Sequence, residues 1–276
     1  MARKGVRRSV FLPITVSFTY VALLLPLVLL VWLSFSESSI LRLPPLSYSL
    51  KWYLALVQHS EMGSAFIYSA ALAGSAAIIS TMIGTVGALA SGRSSKGWVT
   101  ALEALFTGPI VVPALITGVA LYIFLYQVSL LFRLQLVPSI WSLLAAHVII
   151  TLPWIYRLIM AGLASLPQNV ERASLDLGRT PWGTFRLVTL PLIRSSIVGA
   201  VIVAFIWSFA DLEISLFLVT PGSLTLPVAM VQYAQYNIDP TLAAVATIQI
   251  LLIGVFLVAA TRVLKVQEAF TDANRR

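Results

Sequence analysis

The chain has 276 residues, of which 59% are hydrophobic and only 10% charged, with a formal net charge of +8. Soluble domains run at about 45–50% apolar and about a quarter charged, and a mean hydropathy of +0.95 exceeds what a water-soluble domain of this size can bury. The composition excludes a soluble enzyme, a disordered chain and a nucleic-acid-binding domain, and leaves an integral membrane protein.

A bilayer core needs about 20 apolar residues per helix, and six stretches qualify. The first, 10–35, follows Arg3, Lys4, Arg7 and Arg8. Its apolar run is longer than the about 7–15 residues of a signal core and no A-x-A site follows, so it reads as an uncleaved span. The polar segment 36–63 holds Pro44 and Pro45, and its SLKWYLALV stretch predicts a short interfacial helix with Trp52 and Tyr53 at headgroup level. The second span, 64–90, carries Gly74, Gly84 and Gly87, which suit close helix packing. The third, 100–128, has Pro109 and Pro113 inside it, and the fourth, 139–164, has Pro153; these read as kinks whose freed carbonyls neighbours satisfy. The fifth is 192–219 and the sixth 241–263. The segment 220–240, with Pro221, Gly222, Pro227 and Pro240, is too polar and broken to span.

The basic residues set an orientation. With the N-terminus inside, the N-tail holds four Lys or Arg, 91–99 holds Arg93 and Lys96, the loop before the fifth span holds Arg172, Arg179 and Arg186 with Arg194 at its far edge, and the tail holds four. The outer loops hold Arg42, Lys51 and Arg133, and Arg157 lies near the inner end of the fourth span. This asymmetry predicts both termini on the cytoplasmic side.

Much chemistry is missing from the sequence. There is no cysteine, hence no thiolate nucleophile or sulfur-ligated metal, and His59 and His147 form no HExxH pair. No catalytic residue and no metal ligand is assigned. No phosphate-binding loop occurs, and no cytoplasmic segment is long enough for a nucleotide-binding domain, so ATP-driven work must come from another chain. An intramembrane serine hydrolase lacks its G-x-S-x-G, and His147 reads instead as a hydrogen-bonder between packed helices.

The loop 165–191, SLPQNVERASLDLGRTPWGTFRLVTLP, is the most organised polar stretch. Val170, Ala173, Leu175 and Leu177 give helical pattern, with Glu171 near the helix start, where the dipole favours it. Gly178 is placed as a left-handed stop. Thr180 then Pro181 form an N-cap with proline at the first helical position. A second short helix is expected from Pro181 to Thr189, with Pro191 opening the fifth span. The alternatives are an elbow that projects into the cytosol and an amphipathic loop lying on anionic lipid.

Asp211 and Glu213 lie within the expected fifth span, in its outer half. A charge at a helix centre costs about 2.5–3.5 kcal/mol on the insertion scale, so it faces a cavity or a partner. Two positions apart on a helix, the two acids point to opposite sides, one expected to line a path and the other to pair with a neighbour; the alternative is that either acid caps the membrane edge or pairs structurally. Trp207, four residues before Asp211, is expected to share its face, and an aromatic beside a carboxylate suits an ammonium group. Tyr233 and Tyr236 stand either as gate residues or as interfacial anchors.

Glu171-Arg172-Ala173, Gly178 and Val188-Thr189-Leu190-Pro191 resemble the E-A-A…G…I-x-L-P loop of bacterial ABC importer permeases, with Arg172 where the second position is Ala. Lys51-Trp52-Tyr53, His147 followed by Leu152-Pro153, Leu226-Pro227 after Gly222, and Asp239-Pro240 with Ala246-Thr247 look like the spermidine/putrescine-type branch. Related branches carry ferric iron, thiamine and phosphonates. The resemblance implies a MetI-like, all-α fold of six transmembrane helices, one permease domain over 1–276 in the bacterial inner membrane. It implies a second permease subunit (a related chain or a self-copy), two ATP-binding subunits and an extracytoplasmic solute-binding protein as partners, with membrane lipid around them and no nucleic acid. Coupling to the ATPase would fall to Glu171, Ala173, Asp176, Gly178, Arg179, Thr180, Pro181, Leu190 and Pro191, and the substrate path to Asp211, Glu213, Trp207 and Tyr233. No cofactor is expected on this chain; ATP and Mg would be used by the partner. The mechanism implied is alternating access for a polyamine, another small solute being the alternative and a stand-alone channel or carrier the more distant one.

Overall fold

The structure is a computed structural model that describes residues 11–58, 61–93, 97–220 and 222–273, without the side chains of residues 11, 12, 168 and 263–273. Arg3, Lys4, Arg7, Arg8, His59, Lys96 and Pro221, named above, and Arg275 and Arg276 of the basic tail lie outside the described residues. Among the described residues every regular element is a helix, and six helices are long and apolar enough to cross a membrane. The chain divides into two compact units, Met1–Ser60 with Tyr233–Leu251, and Glu61–Gln232 with Leu252–Arg276.

In the first unit, helix α1 (Phe11–Leu33) is 23 residues, long enough at about 1.5 Å rise per residue to cross the hydrocarbon. Helix α2 (Lys51–Val57) is the short helix expected within SLKWYLALV. Aromatic polar atoms fasten it to the turn after α1: Trp52 Nε1–H donates to the Ser36 carbonyl at 2.7 Å, and the Tyr53 and Ser34 hydroxyls lie 2.5 Å apart. An apolar ring body with a polar tip suits the membrane boundary.

The second unit holds α3 (Glu61–Gly92), α4 (Trp98–Thr107), α5 (Ala114–Phe132), α6 (Ile140–Ala164), α7 (Gln168–Asp176), α8 (Pro181–Thr184), α9 (Leu190–Phe209) and α10 (Ser215–Leu218). Helices α11 (Leu226–Tyr236) and α12 (Thr241–Ala273) follow. Helices α3, α6 and α9 pack on one another. In lipid there is no hydrophobic gain between helices, so close approach through small residues replaces it. The buried face of α3 accordingly carries Ala73, Ala76, Ala77 and Ala88, of which Ala77 and Ala88 join Ile155, Ile159 and Ile193 in one apolar cluster. Gly84 is part of this face. A Cβ there would stand 2.7 Å from Ile155 Cγ2. Gly84→Val is therefore expected to cost about 1–3 kcal/mol by overpacking, read as a lower unfolding temperature of the detergent-solubilised chain.

Two expected spans are corrected. The third does not run 100–128: α4 stops at Thr107, a 3₁₀ turn spans Gly108–Ile110, and the apolar helix begins at Ala114. Pro109 and Pro113 each remove a backbone donor, and a proline disfavours helical geometry in the residue before it, so two prolines four apart break the helix rather than kink it. The fifth does not run 192–219: the apolar helical stretch is Pro181–Phe209. Asp211 and Glu213 thus lie in a break between α9 and α10, outside any helix.

The second helix of the 165–191 loop is corrected too. Only Pro181–Thr184 is α-helical; Phe185–Thr189 is a π-helical turn that runs straight into α9. Pro191 is thus the second residue of α9 in a continuous helix, not the start of a separate one. A proline inside a helix crowds the carbonyl four residues back. The wider turn, in which the Leu190 N–H reaches the Phe185 carbonyl, gives it room.

Candidate functional site

The elbow between α6 and α9 is built from local signals. Helix α7 ends at Asp176 with Leu177 as its C-cap, and Gly178 takes φ +82°. The Gly178 N–H donates to the Leu175 carbonyl at 2.9 Å and the Arg179 N–H to the Ser174 carbonyl at 3.3 Å. These paired bonds form a Schellman stop, which needs a left-handed residue at this position. Thr180 Oγ1 then accepts the Gly183 N–H at 3.1 Å, with Pro181 at the first helical position. The buried hydroxyls of Ser174 and Thr184 meet at 3.0 Å across the turn and close the elbow on itself.

Glu171 ties the elbow to the rest of the unit. Arg93 Nη2, just past α3, donates to Glu171 Oε1 at 2.8 Å and to Thr189 Oγ1 at 3.1 Å, and the Thr189 hydroxyl donates to the same Glu171 oxygen. Partial burial pushes the Glu171 pKa up, but the bonds from Arg93 and Thr189 and the guanidinium charge outweigh it and hold the carboxyl below its ordinary 4.5. It is ionised at neutral pH. Arg93 and Thr189 were not among the expected site residues; 78 positions separate Arg93 from Glu171, and no spacing pattern links them.

The outward side of the elbow is apolar at its tip. Leu177 is 86% exposed and Trp182 68%, with Leu175 and Leu187 also exposed. Ala173, Asp176, Gly178, Arg179, Thr180, Pro181 and Pro191 are exposed around them, whereas Glu171 and Leu190 are half-buried.

The acidic break after α9 is the second site. Asp211 Oδ2 accepts the Ser215 backbone N–H at 3.1 Å and stands 3.2 Å from the Ser215 hydroxyl. Ser215 Oγ lies 3.1 Å from His147 Nε2, and His147 Nδ1 lies 2.7 Å from Ser208 Oγ. His147 is thus a buried hydrogen-bonder between α6, α9 and α10, as read from sequence. Glu213 does something else: its Oε2 accepts the Leu115 N–H at 3.0 Å and so satisfies a free donor in the first turn of α5. The shared face expected for Trp207 and Asp211 is corrected, because the helix ends between them at Phe209. Trp207 instead packs against Trp154, ring centres 4.6 Å apart and ring planes tilted by 41°.

Tyr233 belongs to the first unit. Its hydroxyl donates to Asp239 Oδ2 at 2.6 Å, while Asp239 Oδ1 accepts the Thr241 N–H at 2.8 Å and caps α12. Burial raises the Asp239 pKa, but the bonds from Tyr233 and Thr241 and the Lys51 charge more than offset it and leave the carboxyl below its ordinary 3.8. Among the described residues, no group of three or more His, Cys, Asp or Glu could hold a metal ion.

The family model described as "Binding-protein-dependent transport system inner membrane component" matches residues 80–265. The chain is 28% identical over 253 residues to the putrescine transport system permease protein PotI of Escherichia coli K12, covering 90% of this chain and 87% of that protein. It is 25% identical over 241 residues to the spermidine/putrescine transport system permease protein PotC of the same strain, covering 87% and 88%. Among solved structures, a bacterial ABC transporter involved in alginate import matches with a TM-score of 0.70 at 15% identity, covering 95% of this chain and 94% of that one, a likeness of fold.

Proposed function

The chain belongs to the family of binding-protein-dependent transport system inner membrane components, and we propose that it forms half of the path by which an ATP-driven importer takes up a polyamine such as putrescine or spermidine. This is a permease subunit of an ABC importer in the inner membrane, and ATP hydrolysis belongs to its partner. On our reading the assembly adds a second permease (a related chain or a copy of this one), two ATP-binding subunits that use ATP and Mg, and an extracytoplasmic solute-binding protein. Both termini and the elbow lie on the cytoplasmic side.

One observation carries the coupling role: a self-closed elbow leading into the start of the fifth apolar stretch presents Leu177 and Trp182 bare. Large apolar side chains held out on a rigid polar loop mark a protein contact. ATP-driven closure of the partner would push the elbow and swing the spans between inward-open and outward-open states. The polyamine assignment is supported by the names of the relatives and by the half-buried Asp211 carboxylate, which lies outside any helix at the break. Glu213 serves the start of α5, and we assign the cation contact to Asp211. Another small solute, such as an aminoalkyl phosphonate, ferric iron or thiamine, is the alternative; a stand-alone carrier would move solute without any ATPase.

The test is putrescine uptake into vesicles carrying the full assembly. Asp211→Asn is expected to lower it about tenfold or more, the equivalent of about 1.4 kcal/mol or more of lost charge interaction. Uptake of putrescine at the unmodified rate by that variant rejects the cation site, and a binding protein that retains a different solute rejects the polyamine.

A further inference from the structure

We infer that Arg93 is a positioning residue for transport: it locks the elbow to two membrane helices, so that a push on α7 reaches α3 and α9 together. The inference rests on the coupling role proposed above and says how that role is executed.

Three separate parts of the chain converge on one oxygen. Arg93 follows α3, Glu171 lies in α7, and Thr189 closes the π-turn that leads into α9. Arg93 Nη2 donates to Glu171 Oε1 and to Thr189 Oγ1, and Thr189 donates to the same Oε1, so the three groups form a closed ring. Thr189 is fully buried, which keeps water from competing for its hydroxyl.

The ring spans the soft point of the elbow. A π-turn widens the helix and strains its hydrogen bonding, and such turns are frequent at hinges and functional sites. Between α8 and α9 the chain passes through such a turn at Phe185–Thr189. Without a brace, a push on α7 would be absorbed there. With Thr189 and Arg93 both held by Glu171, the end of the turn, the elbow helix and the end of α3 move as one.

Energetics separate transmission from mere stability. The Arg93 side chain is 40% exposed and that of Glu171 28%. Ion pairs this open to water contribute little to folding, so loss of the Arg93–Glu171 pair should leave the melting temperature nearly unchanged while altering force transfer. The geometry also changes the part given to Glu171. Its Oε1 takes two donors of its own chain, while the bare side chains at the tip are Leu177 and Trp182, so on this inference Glu171 acts from behind a docking surface made by the apolar tip.

The experiment uses the assembled transporter in vesicles with Arg93→Gln, Glu171→Gln, Thr189→Val and the exchange Arg93→Glu with Glu171→Arg. Three readouts are taken: ATPase retained on the chain, melting temperature, and solute taken up per ATP hydrolysed. The ATPase should stay bound in all variants, with little change in melting. Uptake per ATP should fall about fivefold in Arg93→Gln and Glu171→Gln, in keeping with a charge-assisted pair, and recover at least in part in the exchange. An unchanged ratio in Arg93→Gln overturns the inference. So does an exchange no better than its single changes, or a Glu171→Gln chain that sheds its ATPase while Arg93→Gln keeps it. If the unmodified chain holds no ATPase at all, the coupling role itself is wrong and the brace falls with it, a result visible before any variant is compared.

Discussion

Aspartate at both Leu177 and Trp182 should leave the chain folded in the membrane but strip the ATPase from it. Neither side chain belongs to the packed interior: Leu177 is 86% exposed, and Trp182, at 68%, has its ring centre 5.3 Å from that of Phe185. The elbow is held by other atoms, namely the Schellman bonds at Gly178 and Arg179, the Thr180 cap and the Ser174–Thr184 pair. If the two apolar groups are buried on docking, they contribute about 1.5–3 kcal/mol each, and the aspartates would add a desolvation cost on top. Together that is a loss of about a hundredfold or more in affinity. The measurement is copurification of the ATPase with the variant chain at matched expression. Full retention of the ATPase rejects the tip as a docking surface. An elbow that instead lies on lipid gives a different signature: the variant keeps its motor and loses protection from a soluble quencher placed near residue 182.

What was legible in the sequence was what local chemistry decides. Gly178 and Thr180-Pro181 announce a stop and a start two residues apart, because a left-handed backbone and an N-cap each depend on one or two side chains. The six apolar stretches were legible for the same reason. The errors arose where hydropathy sees composition but not bonding. The apolar run continues past Asp211 and Glu213 through Ile214 and Leu216–Val219, so nothing in a window average marks the end of α9. That end is made by side chains taking backbone donors, Asp211 from Ser215 and Glu213 from Leu115, the latter 98 positions away. The third span failed similarly, since Pro109 and Pro113 barely lower an average but remove two donors from one turn. The Arg93 ring was beyond reach of any spacing rule, because three helices must be placed before its atoms meet. The π-turn was closer to legible: Pro191 inside a continuous helix demands extra room one turn earlier, provided the helix is known to be continuous.

A graded series at Gly178 should separate the shape of the elbow from its contacts. The residue sits at φ +82° with no atom within 4 Å of where a Cβ would be, so any cost of a side chain there is conformational and not steric crowding by neighbours. Asparagine visits the left-handed region with little penalty, while alanine pays about 1–2 kcal/mol. Proline cannot adopt the angle at all, its φ being fixed near about −65°, and it also deletes the N–H that reaches Leu175. The expected order of uptake per ATP is Gly178 and Gly178→Asn together, then Gly178→Ala, then Gly178→Pro with coupling abolished. Folding of the spans should be spared throughout, because this turn is exposed and lies outside the α3–α6–α9 core. A proline variant that still couples hydrolysis to uptake would falsify the elbow as the transmitting element. Equal losses in asparagine and proline would show that the position matters through a contact of glycine itself with the partner, and not through the direction in which the turn sends α8 and its tryptophan.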